Sequence, residues 1–497
     1  MDLPMDRAGQ EWLGMVAFSE CGSEGGYKDY RVGVFGDKRI DTRASQLHQR
    51  MLEVNSVVLR GLSRNRAEEV AFGRLLANEM FSAQELVQHA AKRTAALCRG
   101  YKHVLLLHDT TDLRFDNKQG STRQGLGPIT DNCALGLMAH PVLAVDAATH
   151  ACLGLASVNV WARSLEEHVK NKDEGVDGQK NRLRRTPIEA KESFVWIEQA
   201  LAARATISSD VKTTLVADRE SDIYQYFDRL KKANAELITR ASYDRSLSED
   251  GWLYSALRAA PAGATYEIHL PSISGKRAAR NVKVEVRYRR VLLRRPRVKY
   301  LVRPSEEIEL WAVEIFEPEQ DGNRDIPPKD RLLWRLLTTH EISTSNQAIW
   351  IAECYKVRWL IEQLFRLIKT EGLHLEASQM ETKDGLIKLT LMAFVTATKI
   401  LQLTQGRENS HRKACDVFDK EDHSILKAVC TSLQGKTTKQ QNPYPERSLA
   451  WASWVIARLG GWKGYESERP PGPITMRKGL EKYQSAKRGW LLARALH

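Results

Sequence analysis

Two short apolar runs, each ending in an aspartate, constrain the fold of this chain more than any other feature. Val104-Leu105-Leu106-Leu107 leads into His108-Asp109, and the segment from Thr213 to Ala217 leads into Asp218. A short run of apolar or β-branched residues without helical spacing is the pattern of a strand buried on both faces. Residues 135–145, 152–160 and 236–240 read as further strands. Helical stretches fall between them, from Pro187 to about 205 and from about 222 to 233, the first opening on a proline where a helix tolerates one. Strands alternating with helices predict an α/β core.

Around that core the text changes character. Residues 10 to 100 read as helical and basic, with Arg31, Lys38, Arg39, Arg43, Arg50, Arg60, Arg64 and Arg66 among apolar positions. Residues 170–185 read as a charged, Gly-containing loop, and 241–325 as a separate inserted β-sheet, alternating in Tyr266–Leu270 and Val282–Tyr288. Strand text returns at Trp334–Thr338, a long helix begins near Ser345, and beyond about 385 the chain is helical apart from a polar loop at 433–446. At 497 residues, three domains are expected rather than one.

Seventy-five Lys and Arg against 62 Asp and Glu leave a net charge of +13, which points to a polyanionic partner, nucleic acid ahead of a membrane surface. The seven cysteines are scattered without a CxxC pair, which favours a reducing cytosol and disfavours a zinc module. Asp2, Asp6, Arg7 and Glu11 interrupt the first twenty residues, so no signal peptide is read there. The longest apolar stretches, near 135–145 and 389–398, fall short of the roughly 18 residues that cross a bilayer. The expectation is a soluble intracellular protein without a membrane partner.

Acids at the ends of central strands converge on a shared cleft, and two or three carboxylates with substrate phosphate suit a hard divalent cation. Paired ions would serve phosphodiester chemistry. Either aspartate alone is equally well read as a turn residue. On the long helix, Tyr355, Arg358, Glu362 and Lys369 fall within about 60° of one another. Ile361, Leu364, Phe365 and Ile368 fall on a different arc. A carboxylate among a phenol, a guanidinium and an ammonium fits a site that binds metal and phosphate. The alternative is a solvated face held by Arg358/Glu362 and Glu362/Arg366 pairs.

Taken together the three motifs resemble the DDE transposases, within them the bacterial cut-and-paste insertion-sequence group whose best-known member is the transposase of transposon five. The matching text is Asp109-Thr110-Thr111, then Asp218-Arg219-Glu220-Ser221-Asp222, then Tyr355-x2-Arg358-x3-Glu362-x6-Lys369, the group's Tyr-Arg-Glu-Lys signature. Gly36-Asp37-Lys38-Arg39 with Arg43 looks like the family's N-terminal DNA-contacting region, and Ala457-Arg458-Leu459-Gly460-Gly461 is similar to part of its C-terminal domain.

The resemblance implies a ribonuclease-H-like catalytic core with an inserted β-sheet subdomain, flanked by helical domains. Its boundaries would be 1–82 for a DNA-binding domain, 83–405 for the catalytic domain with the insertion at about 241–325, and 406–497 for dimerisation, with Leu449–Leu459 among the dimer contacts. It implies that Asp109, Asp218 and Glu362 are catalytic and hold two Mg²⁺, with Mn²⁺ able to substitute. It also implies that Tyr355, Arg358, Lys369 and Arg240 lie on DNA, and that Trp334 stacks on a displaced base during hairpin formation. A core role for Trp334 stays open. The activity implied is cut-and-paste transposition by a homodimer in the bacterial cytoplasm, acting on double-stranded terminal repeats and target DNA.

The densest charge lies in the insertion, where Lys276, Arg277, Arg280, Lys283, Arg287, Arg289, Arg290, Arg294, Arg295, Arg297, Lys299 and Arg303 face the single acid Glu285. That patch reads as a phosphate-binding surface. Two regions depart from the family's pattern: Asp131-Asn132-Cys133-Ala134-Leu135 has no basic residue, and 433–446 has only Lys436 and Lys439. The competing functions are a non-catalytic DNA-binding protein or transposition inhibitor on the same fold, and a related nuclease without strand transfer.

Overall fold

The computed structural model describes residues 31–115, 123–129, 134–166, 175–249, 251–270, 278–319, 326–327, 330–369, 372–408, 411–465 and 467–495. Lys276, Arg277 and Asp131-Asn132-Cys133 lie outside them. The chain divides into two compact units, one at Arg31–Gln402 and the other containing Leu403–His497.

The first unit opens on helices α1 (Lys38–Val54), α2 (Leu59–Leu62), α3 (Arg66–Ala77) and α4 (Ala83–Cys98). The side chains of Asp37, Asn65 and Ser82 accept from the backbone N–H groups of Arg39, Glu68 and Glu85. Each thereby satisfies a donor that the first turn of its helix leaves unpaired. Gly36, at φ +79°, turns the chain into the Asp37 cap.

Strands β1 (His103–His108), β2 (Thr111–Arg114), β3 (Gly127–Pro128), β4 (Leu135–Asp146) and β5 (Cys152–Trp161) follow. After α5 (Gly175–Arg185) and α6 (Phe194–Thr206) come β6 (Lys212–Ala217), α7 (Tyr224–Lys232) and β7 (Glu236–Arg240). The helix expected from Pro187 starts at Phe194, after a 3₁₀ turn at Ile188–Ala190. The loop expected at 170–185 is helical from Gly175 onward. Its sequence favours that outcome, because Gln179, Lys180 and Leu183 are good helix formers and Arg182, Arg184 and Arg185 lie at the favourable C-terminal end of the helix dipole.

Then come α8 (Leu253–Ala259), β8 (Ala262–Leu270), β9 (Arg280–Arg294), β10 (Glu307–Phe316) and β11 (Leu333–Thr338). The eleven strands of the described residues belong to one sheet, in the order β2-β4-β1-β6-β7-β11-β10-β9-β8, with β3 and β5 also paired to β4. The pairs β1–β6 and β6–β7 are parallel, whereas β1–β4 and β10–β11 are antiparallel. The β-rich stretch is therefore not a separate sheet. β10 pairs with β11 and β11 with β7, so the insertion continues the central sheet and satisfies backbone groups that an edge would leave open.

Leu106, Val142, Leu215 and Leu237 enter a core with Ile197, Ala200, Phe227 and Leu230 of α6 and α7. The alternate residues Leu105, Leu107, Val216 and Ile238 are fully buried as well. Along that side run α9 (Ser345–Val357) and α10 (Trp359–Ile368). Both faces are covered, as the continuous apolar text of β1 requires. Helix α11 (Lys383–Gln405) is long and apolar enough by composition to cross a membrane, beyond the shorter stretch expected, but 83% of its apolar window is buried inside the fold. It reads as a core helix.

The second unit contains α12 (Asp422–Leu433), α13 (Leu449–Leu459) and α14 (Pro473–Ala495). Every residue from Leu449 to Ala457 is buried, so α13 offers no open face for the dimer contact expected of it. Cys354 and Cys430 are buried thiols while Cys415 is disulfide-bonded, so the cysteines do not speak with one voice on redox compartment.

Candidate active site

β1 and β6 run parallel with His108 opposite Ala217, so Asp109 and Asp218 leave adjacent strands at the same carboxyl end. Neighbouring strands lie about 4.8 Å apart. On its other side β1 is flanked by β4, which runs antiparallel to it.

The third acid arrives on the helices. α9 starts at a capping box in which Thr344 and Gln347 each accept a backbone N–H of the other. The single long helix expected here is two helices meeting at Arg358, whose φ of −48° and ψ of −30° remain helical. The polar stripe therefore persists across the junction and carries Glu362 in the first turn of α10.

One guanidinium joins all three acids. Arg358 Nη1 lies 2.7 Å from Asp109 Oδ2 and 3.4 Å from Glu362 Oε1, and Nη2 lies 3.7 Å from Asp218 Oδ2. Tyr355 Oη donates to Asp218 Oδ1 at 3.1 Å. Asp109 is the deepest of the three, its side chain 16% exposed against 26% for Asp218 and 34% for Glu362. Burial pushes the Asp109 carboxyl up to about 7, Arg358 opposes this, and the charges of Glu362 and Asp218 add to it. Burial works against ionised Asp218 too, but Arg358, the Arg219 N–H, Tyr355 and Arg240 outweigh it and hold this carboxyl below its usual value. Burial and the adjacent Asp218 raise the Tyr355 phenol to about 12.

Carboxylates that crowd one another and share a cation are, by donor type and charge, suited to a hard divalent ion. As they stand, no three His, Cys, Asp or Glu side chains among the described residues form a group that could hold a metal ion. The positive charge between the acids is the Arg358 guanidinium.

Other expected site residues distribute around this centre. Trp334 on β11 packs edge-on against Tyr355, ring centroids 5.4 Å apart, and Arg240 at the end of β7 donates to the Leu333 carbonyl at 3.3 Å. Lys369 Nζ pairs with Asp112 Oδ1 at 3.4 Å rather than with the three acids. Of the i,i+4 pairs expected for a solvated face, Arg358–Glu362 is present, while Arg366 lies over the Trp359 ring. Arg39 and Arg43 belong to α1, where Arg39 is highly exposed and pairs with Asp37.

The basic insertion is less bare than its sequence. Acids of β10 and of the segment just after it meet it, with Arg280 on Glu317, Arg287 beside Glu314 and Arg290 on Glu309. Sequence counting missed them because they come from the paired strand and beyond. It also missed the polar residues behind Asp109. His108 Nδ1 lies 3.1 Å from His140 Nε2, and Thr110 Oγ1 lies 2.8 Å from His140 Nδ1. The available signal was a histidine beside the aspartate at the end of the apolar run of β1 and another within the largely apolar β4.

A mixed sheet with acids at the ends of its parallel strands and a third acid on a covering helix defines the site's class. Residues 196–398, less than half of the chain, match the family described as the transposase DDE domain. That segment contains Asp218 and Glu362 but not Asp109. Among solved structures, the cryo-EM synaptic complex of piggyBac transposase with hairpin DNA is similar over 92% of this chain and 73% of that one, at 9% identity and a TM-score of 0.35.

Proposed function

We propose that this protein is a DNA transposase of the DDE type. The observation that carries the reading is the convergence of Asp109, Asp218 and Glu362 on the single guanidinium of Arg358. The transposase DDE domain match across Asp218 and Glu362 supports it. The strand order β5-β4-β1-β6-β7 supports a ribonuclease-H-like core, and the Tyr-Arg-Glu-Lys spacing supports the bacterial insertion-sequence group resembling the transposase of transposon five.

In this reading Asp109, Asp218 and Glu362 would hold Mg²⁺, or Mn²⁺ in its place. Such ions supply an activated water or 3′ hydroxyl and stabilisation of the leaving oxygen in phosphodiester cleavage and transesterification. Tyr355 orients the Asp218 carboxylate through its hydroxyl. Arg358 and Lys369 offer cations to phosphate oxygens, and Arg240 adds positive charge beside Asp218. Cut-and-paste movement, a hairpin intermediate with Trp334 against a displaced base, a homodimeric synaptic state and a cytoplasmic, nucleoid-associated location belong to the same proposal. So do a DNA-binding role for the N-terminal helices with Arg39 and Arg43, and dimerisation through the C-terminal helices other than the buried α13.

The test is strand cleavage. Asp109→Ala, Asp218→Ala and Glu362→Ala should each lower nicking of a plasmid carrying the gene's flanking DNA by at least about a thousandfold, with DNA binding kept within a few-fold. Nicking that survives all three substitutions would exclude the enzyme. Binding without cleavage in the parent chain would favour the inhibitor reading.

A further inference from the structure

Behind Asp109 lies a line of polar groups with no role in the cleavage chemistry described above. His108, His140 and Tyr226 are each 0% exposed. His108 Nε2 lies 2.8 Å from Tyr226 Oη, His108 Nδ1 lies 3.1 Å from His140 Nε2, and His140 Nδ1 lies 2.8 Å from Thr110 Oγ1. Trp196 packs against both imidazoles, at 5.2 and 4.7 Å between ring centroids. Thr110 is half-buried, and its backbone N–H donates to Asp109 Oδ1 at 2.8 Å.

No carboxylate faces either ring through these bonds, and an imidazolium buried without a counter-charge is strongly disfavoured. Each ring is therefore neutral, with one N–H and one bare nitrogen. That leaves two ways to run protons along the line. In one, Thr110 donates inward and the last N–H points at Tyr226. The phenol proton then has no acceptor among the described residues, in a fully buried place, which is costly. In the other, Tyr226 donates to His108 Nε2, His108 Nδ1–H donates to His140 Nε2, and His140 Nδ1–H donates to Thr110 Oγ1. Every buried donor is then satisfied, and the one proton left over sits on the threonine hydroxyl, at the end nearest solvent.

We propose that this one-way chain fixes Thr110 as a hydrogen-bond donor beside the acid cluster, where its hydroxyl donates to a non-bridging phosphate oxygen of bound DNA. Tyr226, His108 and His140 are positioning residues that act through it. The phosphate contact rests on the transposase reading. The direction of the chain does not.

The two parts are tested separately. In the full chain with ¹⁵N-labelled histidine, two-bond nitrogen–proton correlations should show both His108 and His140 protonated on Nδ1. An Nε2–H tautomer at either ring would overturn the chain's direction, whatever the protein's activity. For the contact, the probe is the supercoiled plasmid carrying the gene's flanking DNA, with Mg²⁺. Thr110→Val keeps the shape without the hydroxyl and should slow single-turnover nicking by about ten- to a hundredfold. Thr110→Ser should restore most of the rate, which a loss of packing alone would not allow. Parental nicking by Thr110→Val, in a preparation that Asp109→Asn inactivates, would overturn the contact and leave the transposase reading standing. Parental nicking by Asp109→Asn would instead remove the transposase reading, with the tautomers still deciding the chain.

Discussion

Asp109 is half-buried and Asp222 is buried, and the fold uses these two acids in opposite ways. Asp222 is fully compensated: its carboxylate accepts from the backbone of Ser242 and Tyr243 at 2.7 and 3.0 Å and pairs with Arg245 at 2.5 Å. Asp222→Ala leaves Arg245 buried without its counter-charge, so it should cost about 3–5 kcal/mol, read from the urea midpoint. A change below about 1 kcal/mol would show that the pair is dispensable. Asp109 is less completely satisfied, and burial lifts its carboxyl from 3.8 to about 7. An acid whose folded value is raised binds its proton more tightly folded than unfolded. Stability should then fall as pH climbs from about 4 to about 7 and level off above. In metal-free buffer, Asp109→Asn should gain melting temperature relative to the parent across that window, and a difference independent of pH would contradict the shift.

Helix and strand boundaries show where local rules hold and where packing overrides them. The caps at Asp37, Asn65, Ser82 and Thr344 were readable in kind, because a short polar side chain before a helical stretch satisfies its first N–H groups. The break at Arg358 was not, since no glycine or proline marks it. Gly460 in α13's cap and Gly479 in α14 were visible only as glycines. A Cβ at Gly460 would strike the Thr475 carbonyl oxygen and one at Gly479 the Ile456 carbonyl oxygen, so their absence lets the two helices cross closely. Gly479→Ala should destabilise the C-terminal helical unit by about 1–3 kcal/mol, measured as earlier loss of its amide-exchange protection. Unchanged protection across Leu449–Leu459 would mean that the helices separate without strain.

On the scale of the whole chain, a net charge of +13 acts through whichever cations remain available after the fold has paired some of them. Arg280 makes two bonds to Glu317, at 2.5 and 2.8 Å, whereas Arg289 is exposed on the same strand. If the insertion lies on DNA, Arg289→Ala should reduce the salt dependence of binding by about one counterion and Arg280→Ala should not. Equal slopes for the two variants would place the DNA elsewhere. The sequence by itself determined the α/β core and the ends of its two central strands, because apolar runs and their punctuation are local patterns that water enforces directly. It also determined the narrow stripe of Tyr355, Arg358 and Glu362, since helical periodicity fixes angles over short distances. Only the tertiary structure decided that the insertion continues the central sheet and that Glu314 and Glu317 temper its arginines. It alone placed Asp112 against Lys369 and two histidines behind Asp109. Those choices depend on strand pairing and packing between residues far apart in the chain, where alternation reports a buried face and says nothing of the neighbour that covers it.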